Sequence, residues 1–599
     1  MDYLGAKVGL EVHQQLNTTR KLYCFCPVAK SDSFPRSITR RIRAVPGEGG
    51  KIDPAALYEM TKGREFVYSF NDETTCLVEL DEEPPSGIND EALRIALQAC
   101  KLLSSSAVEE AHVMRKTVAD GSAVSGFQRT ALIGMGGKVK TSFGNVGIQT
   151  VCLEEDSSVD MHTGRPEYRL DRLGVPLVEI ATEPEMHSPE EAMEAASVIG
   201  TLLRSLNVRR GIGSIRQDIN VSIEGGERIE IKGFQELDRI AEAVKNEVSR
   251  QSSLLEIRGE LRKRGAMEAS GKATDVTHIF RNTESFVKKT LAGGGRVLAS
   301  VLPGFADIMK KECGDKTLGK ELSCYAAAYG YGITHSDEDL EKYKLGKEFA
   351  ELKKLLNAGE RDVIFIVAGK SPEKALAAVA ERARHCLVGI PKETRAADGA
   401  GSRYTRPLPG SERMYPETDV PVRVISGIAV DVPETIEERE AQLKKLMPED
   451  MAHQMACSEK YYLYENLMEK FKPDPVLLAT TLLSTLKEIK RRGLDAERIT
   501  EDELEKVFAY ATSGRIPKSA VAQALEGIAS GKSAEEMAQA LEPMGEKKLR
   551  GVVQETVRGN AGQKESVLMG MIMGKVRGRA DGSVVTKLLR EAMRNNSSA

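Results

Sequence analysis

Near its N-terminus the chain reads Val8-Gly9-Leu10-Glu11-Val12-His13, with an apolar side chain at every second position. A period of two marks a strand half-buried against a core, and it throws Glu11 and His13 onto the same opposite face. A carboxylate and an imidazole two residues apart on a rigid strand can converge on one cation or one proton. On their own the two residues would also suit an ordinary solvated face. The constraint comes from further acidic strands of the same kind.

Leu153-Glu154-Glu155-Asp156 follows the β-rich run Gly147 to Val151. Successive side chains on a strand point to opposite faces, so either Glu155, or Glu154 with Asp156, faces a given way. Glu179 lies between Val178 and Ile180 in an otherwise apolar run, where an unpaired carboxylate would carry a severe desolvation cost. It therefore requires a cation, an arginine or a proton. In Arg216-Gln217-Asp218-Ile219-Asn220-Val221-Ser222 the alternation puts Arg216, Asp218, Asn220 and Ser222 on one face. Oxygen-rich ligands with one imidazole suit Mg²⁺ or Mn²⁺ better than zinc.

At 599 residues the chain is too long for one core. Residues 1 to about 270 read as mixed α/β, with helices at about 54–62, 90–102, 188–206 and 235–252. Ser188-Pro189-Glu190-Glu191 opens the third of these with a cap, a proline at the first position and acids in the first turn. From about 275 to 400 the pattern turns to βα units, with Asp362 to Val367 as a buried strand and an amphipathic helix at 373–385. A short strand-rich return covers about 401–432, and the remainder is helical. The fold class expected is multidomain α+β. Its domains are a mixed α/β domain with an antiparallel sheet (1–274 and 401–432), an inserted α/β domain (275–400), a helical domain (433–529) and a small helical tail (530–599).

Arg115-Lys116-Thr117 through Gly121-Ser122, Ser125-Gly126 and Arg129 join cations to glycine and serine in a loop, a composition suited to holding phosphate. Gly527 to Ser533 approaches a P-loop but is one residue short between its glycines; it reads as a helix stop followed by a serine cap. Net charge is −4, yet Glu546 to Ala599 holds eleven Lys or Arg against five Asp or Glu. Phosphate contacts depend on such local fields and not on whole-chain charge. No run of 18 apolar residues occurs, and nine dispersed cysteines suit reduced thiols, so a cytoplasmic protein without a membrane span is expected.

Gly9 to His13, Leu153 to Asp156, Arg172 to Ile180 and Asp218 to Ser222 together resemble the cradle shared by the B-type and E-type subunits of the tRNA-dependent amidotransferases. The insertion at 275–400 resembles the small domain inserted into bacterial-type aspartyl-tRNA synthetases. With Gln14-Gln15-Leu16-Asn17 it favours the archaeal E branch over the bacterial B branch. The C-terminal part resembles the helical and tail domains shared by both branches. The resemblance implies a ligase that phosphorylates the γ-carboxylate of glutamate on tRNA(Gln) with ATP and lets ammonia displace the phosphate. It implies His13, Glu155 and Glu179 as metal ligands, with Glu155 and Glu179 catalytic and Glu11 and Asp218 beside them. Arg115, Lys116, Ser122, Ser125 and Arg129 would bind ATP phosphates, and Lys575, Arg577 and Arg579 of the tail would hold tRNA.

No amidase signature, Thr-Gly-Gly-Thr opening or Gly-x-Ser-x-Gly elbow is present, so ammonia must come from a partner. The resemblance makes that partner the asparaginase-like D-type subunit, in a heterotetramer. A bacterial B-type subunit paired with a glutaminase and a non-catalytic tRNA-binding scaffold are the alternatives. Cys24-Phe25-Cys26 lies where many B-type subunits start a four-cysteine zinc site, but Pro27 to Pro46 contains neither Cys nor His, and Cys76 is the sole nearby candidate. No structural zinc is therefore expected.

Overall fold

The computed structural model describes residues 3–597 apart from 4, 268–271, 561 and 577. It is a mixed α/β structure with one large sheet and a helical C-terminal region, and its contacts divide it into two compact units, Met1–Pro433 and Glu434–Ala599.

The first unit is organised by a twelve-stranded sheet. Ten strands form its path: β1 (Lys7–Gln15), β2 (Val113–Thr117), β3 (Phe127–Met135), β4 (Gly144–Glu155), β5 (Pro176–Thr182), β6 (Ile215–Ser222), β7 (Ile229–Phe234), β8 (Glu393–Asp398), β9 (Gly401–Pro407) and β10 (Met414–Pro416). Their order across the sheet is β9-β8-β7-β6-β1-β5-β4-β3-β2-β10. Every neighbouring pair on the path is antiparallel except β7 and β8, which run parallel. β1 lies mid-sheet, hydrogen-bonded on both edges.

One face of the sheet is covered by helices α1 (Asp90–Leu102), α2 (Pro189–Leu203) and α3 (Leu237–Lys263). Val8, Leu10 and Val12 turn to this face, as the period of two requires, and bury completely among Ala92, Ala96, Ile199 and Val244. α2 opens as expected, Ser188 capping the N–H of Glu191 with Pro189 in the first turn. α3 runs past the expected end at 252 because Leu254, Ile257 and Leu261 keep packing into the core; Gly265, at φ +66°, follows it.

Residues after α3 build a four-stranded antiparallel sheet whose centre is Arg296–Leu302 against Val363–Gly369, followed by the helix Glu373–Val388. The segment is pinned to the large sheet by buried charge. Glu321 accepts hydrogen bonds from Arg395 of β8 at 2.8 and 2.9 Å and from Arg250 of α3 at 2.9 Å. These arginines hold the Glu321 carboxyl far below its ordinary pKa in spite of burial.

The second unit contains two apolar clusters, one running from Ile436 to Leu541 and a separate one from Leu549 to Leu589. Between Gly527 and Ser533 the chain ends one helix and starts another, with Ser533 and Glu536 forming a capping box. The P-loop-like stretch is thus a helix junction.

Candidate active site

On the sheet face opposite the helices, the register between strands decides which side chains meet. His13 pairs across β1–β5 with Glu179, and across β1–β6 with Arg216; Glu11 stands opposite Asp218. On β4 the residue opposite Glu179 is Cys152, which sets Glu154 on the same face and turns the backbone of Glu155 the other way. Two groups of ligand atoms result, each lying within 4.8 Å: His13, Glu154 and Glu179, and Glu11, Asp218 and Glu230.

The first group is built around one imidazole and one ammonium. His13 Nε2 lies 2.8 Å from Glu179 Oε2 and 4.0 Å from Glu154 Oε2. Lys116 of β2 ion-pairs with Glu154 and, at 3.2 Å, with Glu179. Burial opposes ionisation of His13, Lys116 and Glu179, and the attraction of their partners overrides it. Lys116 and His13 hold the Glu179 carboxyl well below its ordinary pKa, while Glu179 keeps the imidazole of His13 above its own. Lys116 is raised by Glu154 and Glu179 against the same burial.

The second group is arranged alike. Lys232 of β7 reaches Asp218 at 2.6 Å and Glu230 at 2.8 Å, and Asn220 donates to Glu11 at 3.0 Å. Burial raises the Glu11 pKa, whereas Lys232 outweighs burial at Glu230 and brings it to about 2. His13 and Glu179 of the first group and all three residues of the second border a cavity of about 360 Å³ that Lys116, Ser122, Gln128, Glu155, Arg216, Lys232, Arg406 and Arg413 also line. A site with so many carboxylates and cations facing one space can bind a polyanion and a divalent cation together.

The expected site residues are thus placed unequally. His13, Glu179, Glu11, Asp218, Lys116 and Ser122 border the cavity. Glu155 borders it too, but its carboxylate accepts the backbone N–H of Arg129 at 3.0 Å and pairs with the Arg129 guanidinium at 3.3 Å; Glu154 is the member of the His13–Glu179 group. Arg115 and Arg129 both turn to Glu417, at 2.7 and 2.9 Å, and Ser125 donates to the carbonyl of Phe127. In the tail Lys575 donates to Thr556 and Arg579 to the carbonyl of Glu542, while Arg577 lies outside the described residues. Sequence reasoning left Glu154 with Asp156 as the alternative to Glu155 and did not name Glu230 or Lys232. The alternation Ile229-Glu230-Ile231-Lys232 carries the same signal that singled out Glu11 and His13.

Residues 6–431, the whole span that builds the sheet and its cavity, match the GatB/GatE catalytic domain. The chain belongs to the GatB/GatE family. A GatB domain matches residues 462–593 as well. Among the curated GatB/GatE relatives, the E-type subunit of glutamyl-tRNA(Gln) amidotransferase from Methanocaldococcus jannaschii is 44% identical, covering 99% of both chains. The proteins of the same name from Thermococcus gammatolerans and Archaeoglobus fulgidus are 43% and 41% identical, with the same coverage. The resemblance read from the cradle motifs is therefore to the right family, and these relatives are of the E branch.

Proposed function

We propose that this chain is the component of a glutamyl-tRNA(Gln) amidotransferase that activates and amidates the tRNA-bound glutamate. The observation that carries the reading is the pairing, in one cavity, of two carboxylate groups each held by a single lysine. A carboxylate becomes an electrophile only once an oxygen is turned into a leaving group. Attack of the glutamate γ-carboxylate on the terminal phosphorus of ATP forms an acyl phosphate and releases ADP; ammonia then displaces phosphate and leaves the amide.

The donor set fits Mg²⁺ or Mn²⁺: one imidazole with carboxylates, and no thiol in either group. His13, Glu154 and Glu179 would hold one ion and Glu11, Asp218 and Glu230 a second, and the ions would neutralise phosphate charge as it shifts to the leaving oxygen. Lys116 and Lys232 supply positive charge at the same places, each pKa raised by the carboxylates it meets in spite of burial. Arg216, Arg406 and Arg413 line the cavity and would orient the triphosphate, with Ser122 offering its hydroxyl. Glu155 fixes Arg129 and so acts on the site by position.

The rest of the chain is assigned by the same reading. Residues 1–274 form the catalytic cradle together with 393–432, because β8 already belongs to the large sheet and the return starts before the expected 401; the segment between would be an insertion like that of the aspartyl-tRNA synthetases. The helical connector runs past the expected 529 to Leu541, where its apolar cluster ends, and the residues after it would be a tail that meets the tRNA backbone through Lys575, Arg577 and Arg579. Ammonia would come from an asparaginase-like D-type subunit within a heterotetramer in the cytoplasm; among the described residues no helix is long and apolar enough to cross a membrane. The test is ATP hydrolysis by the complex with and without glutamyl-tRNA(Gln). Strong stimulation is expected, and ATP turnover indifferent to the charged tRNA would refute the assignment.

A further inference from the structure

The inserted segment carries a cavity of its own, of about 700 Å³, within the size range of small-molecule sites. It lies between the helix Leu318–Ala327, the edge strand Thr334–His335 and the turns that follow that strand. Helix and strand meet closely. A Cβ at Gly319 would stand 2.4 Å from His335 Nε2, so the imidazole fills the space a side chain would need. The residues that line this cavity are all different from those that line the acidic one.

We propose that this cavity binds a nucleotide with an amino-bearing base, stacked on Phe286 and Tyr343, its phosphate held by Lys310, Lys320 and Lys342. The inference goes beyond the activity assigned to the acidic cavity and does not depend on it. The two rings meet edge to face with centroids 6.4 Å apart, and both are exposed. Paired rings left in water offer apolar faces that a base can cover. The cations are free to take an anion. Among the described residues Lys320 and Lys342 form no ion pair, and Lys310 meets the exposed Asp307 at 3.6 Å.

A bare anion would leave the rest of the wall unexplained, because Asp337, Glu338 and Asp339 offset the three lysines. Burial and the nearby Lys310 push the His335 imidazole down to about 4, so it is neutral at neutral pH, with one nitrogen a donor and the other an acceptor. Its Nε2 stands 3.3 Å from Glu338 Oε1, which favours the proton there and leaves Nδ1 as the acceptor. His335 is only 6% exposed, and neither its Nδ1 nor Asp337 Oδ2, also buried, has a hydrogen-bond partner among the described residues. This wall therefore presents acceptors, and it calls for the amino and ring N–H donors of a base edge. Guanine, with both side by side, suits it best, and uracil, without an amino group, suits it least.

The nucleotide can be free or one unit of an RNA strand, since the recognising chemistry is the same. Calorimetry on the full chain without added divalent cation should show saturable binding of guanosine monophosphate. Guanosine, inorganic phosphate and uridine monophosphate should each bind more weakly. Phe286→Ala/Tyr343→Ala, at exposed positions, should weaken binding by about 5- to 150-fold, the range for one lost stacked base. Lys320→Ala/Lys342→Ala should bring guanosine monophosphate down towards guanosine, whereas Glu179→Gln/Asp218→Asn, altered only in the acidic cavity, should bind it as wild type does. A guanosine-containing tetranucleotide that binds much more tightly, with the gain lost in the aromatic variant, would support the proposal with an RNA strand as the source; equal affinity would support it with the free nucleotide. No saturation by about 10 mM, phosphate or uridine monophosphate binding as well as guanosine monophosphate, affinity unchanged by the aromatic variant, or binding lost in the acidic-cavity variant would each overturn the proposal.

Discussion

Replacing Glu179 by Gln removes one charge and almost no volume from the centre of the cavity. In the wild type that carboxylate meets His13 at 2.8 Å and Lys116 at 3.2 Å. A hydrogen bond to a charged group is worth about 1.5–3 kcal/mol net. The amide oxygen keeps a weaker contact, and Lys116 still has Glu154, so stability should fall by only about 1–3 kcal/mol. Activity should fall much further. Loss of a carboxylate that would hold the cation facing the transferring phosphoryl group should raise the barrier by on the order of 3–4 kcal/mol, so transamidation should drop by roughly 200- to 900-fold. The assay supplies excess ammonium, which bypasses the ammonia-donating partner, and measures the ratio of glutaminyl- to glutamyl-tRNA. Binding of tRNA should be retained, and the imidazole of His13, left with burial and without its Glu179 partner, should titrate lower than in the wild type by NMR. Transamidation within about tenfold of wild type would refute the role given to Glu179.

Glu154→Gln should be as damaging as Glu179→Gln, whereas Glu155→Gln, which retains an acceptor for the Arg129 N–H, should lose less than about a hundredfold; the reverse order in the same assay would return the ligand role to Glu155. Glu321→Gln takes one carboxylate partner from two buried arginines, Arg250 keeping Glu247 and Arg395 keeping Glu393, and should destabilise the first unit by about 1–3 kcal/mol in urea unfolding at neutral pH. Because the folded Glu321 pKa is depressed, its contribution is present above the unfolded value near 4.5 and lost as pH falls below it, so wild type and variant should converge in acid; a gap that does not narrow would contradict the ion-pair account. Deleting 545–599, which starts between the two apolar clusters and not inside the first, should weaken tRNA binding and flatten its salt dependence by somewhat less than one log unit per lost phosphate contact; unchanged affinity and slope would assign the tail to protein contacts.

Much of this was legible in single strands. The alternation from Val8 to His13 fixes which residues are buried and which share the open face, and Glu179 in an apolar strand announces its need for His13 and Lys116. Parity, however, is known only within a strand. Choosing between Glu154 and Glu155 requires the pairing of Glu179 with Cys152, a relation between strands. Arg115 and Arg129 read as phosphate ligands until Glu417, some three hundred residues on, returns just after β10 to claim both. The cysteines show the same limit, since Cys76 and Glu79 become neighbours of Cys24 only through the fold.

The parallel seam between β7 and β8 has a consequence for how the molecule is made. β7 ends at Phe234 and its partner begins at Glu393, so a nascent chain presents an unpaired edge while the long helix and the whole inserted sheet are synthesised. At ribosomal speeds of about 5–20 residues per second that interval is on the order of ten to thirty seconds, long against the milliseconds in which local structure forms. Glu230 belongs to that edge and gains the hydroxyl of Thr394, at 2.7 Å, only when β8 arrives. The carboxylates on β1 and β5 can be in place early, whereas the Glu11–Asp218–Glu230 group is finished last. An arrested chain ending before residue 393 would thus be half-assembled at its chemical centre, with a bare strand open to any extended segment that passes.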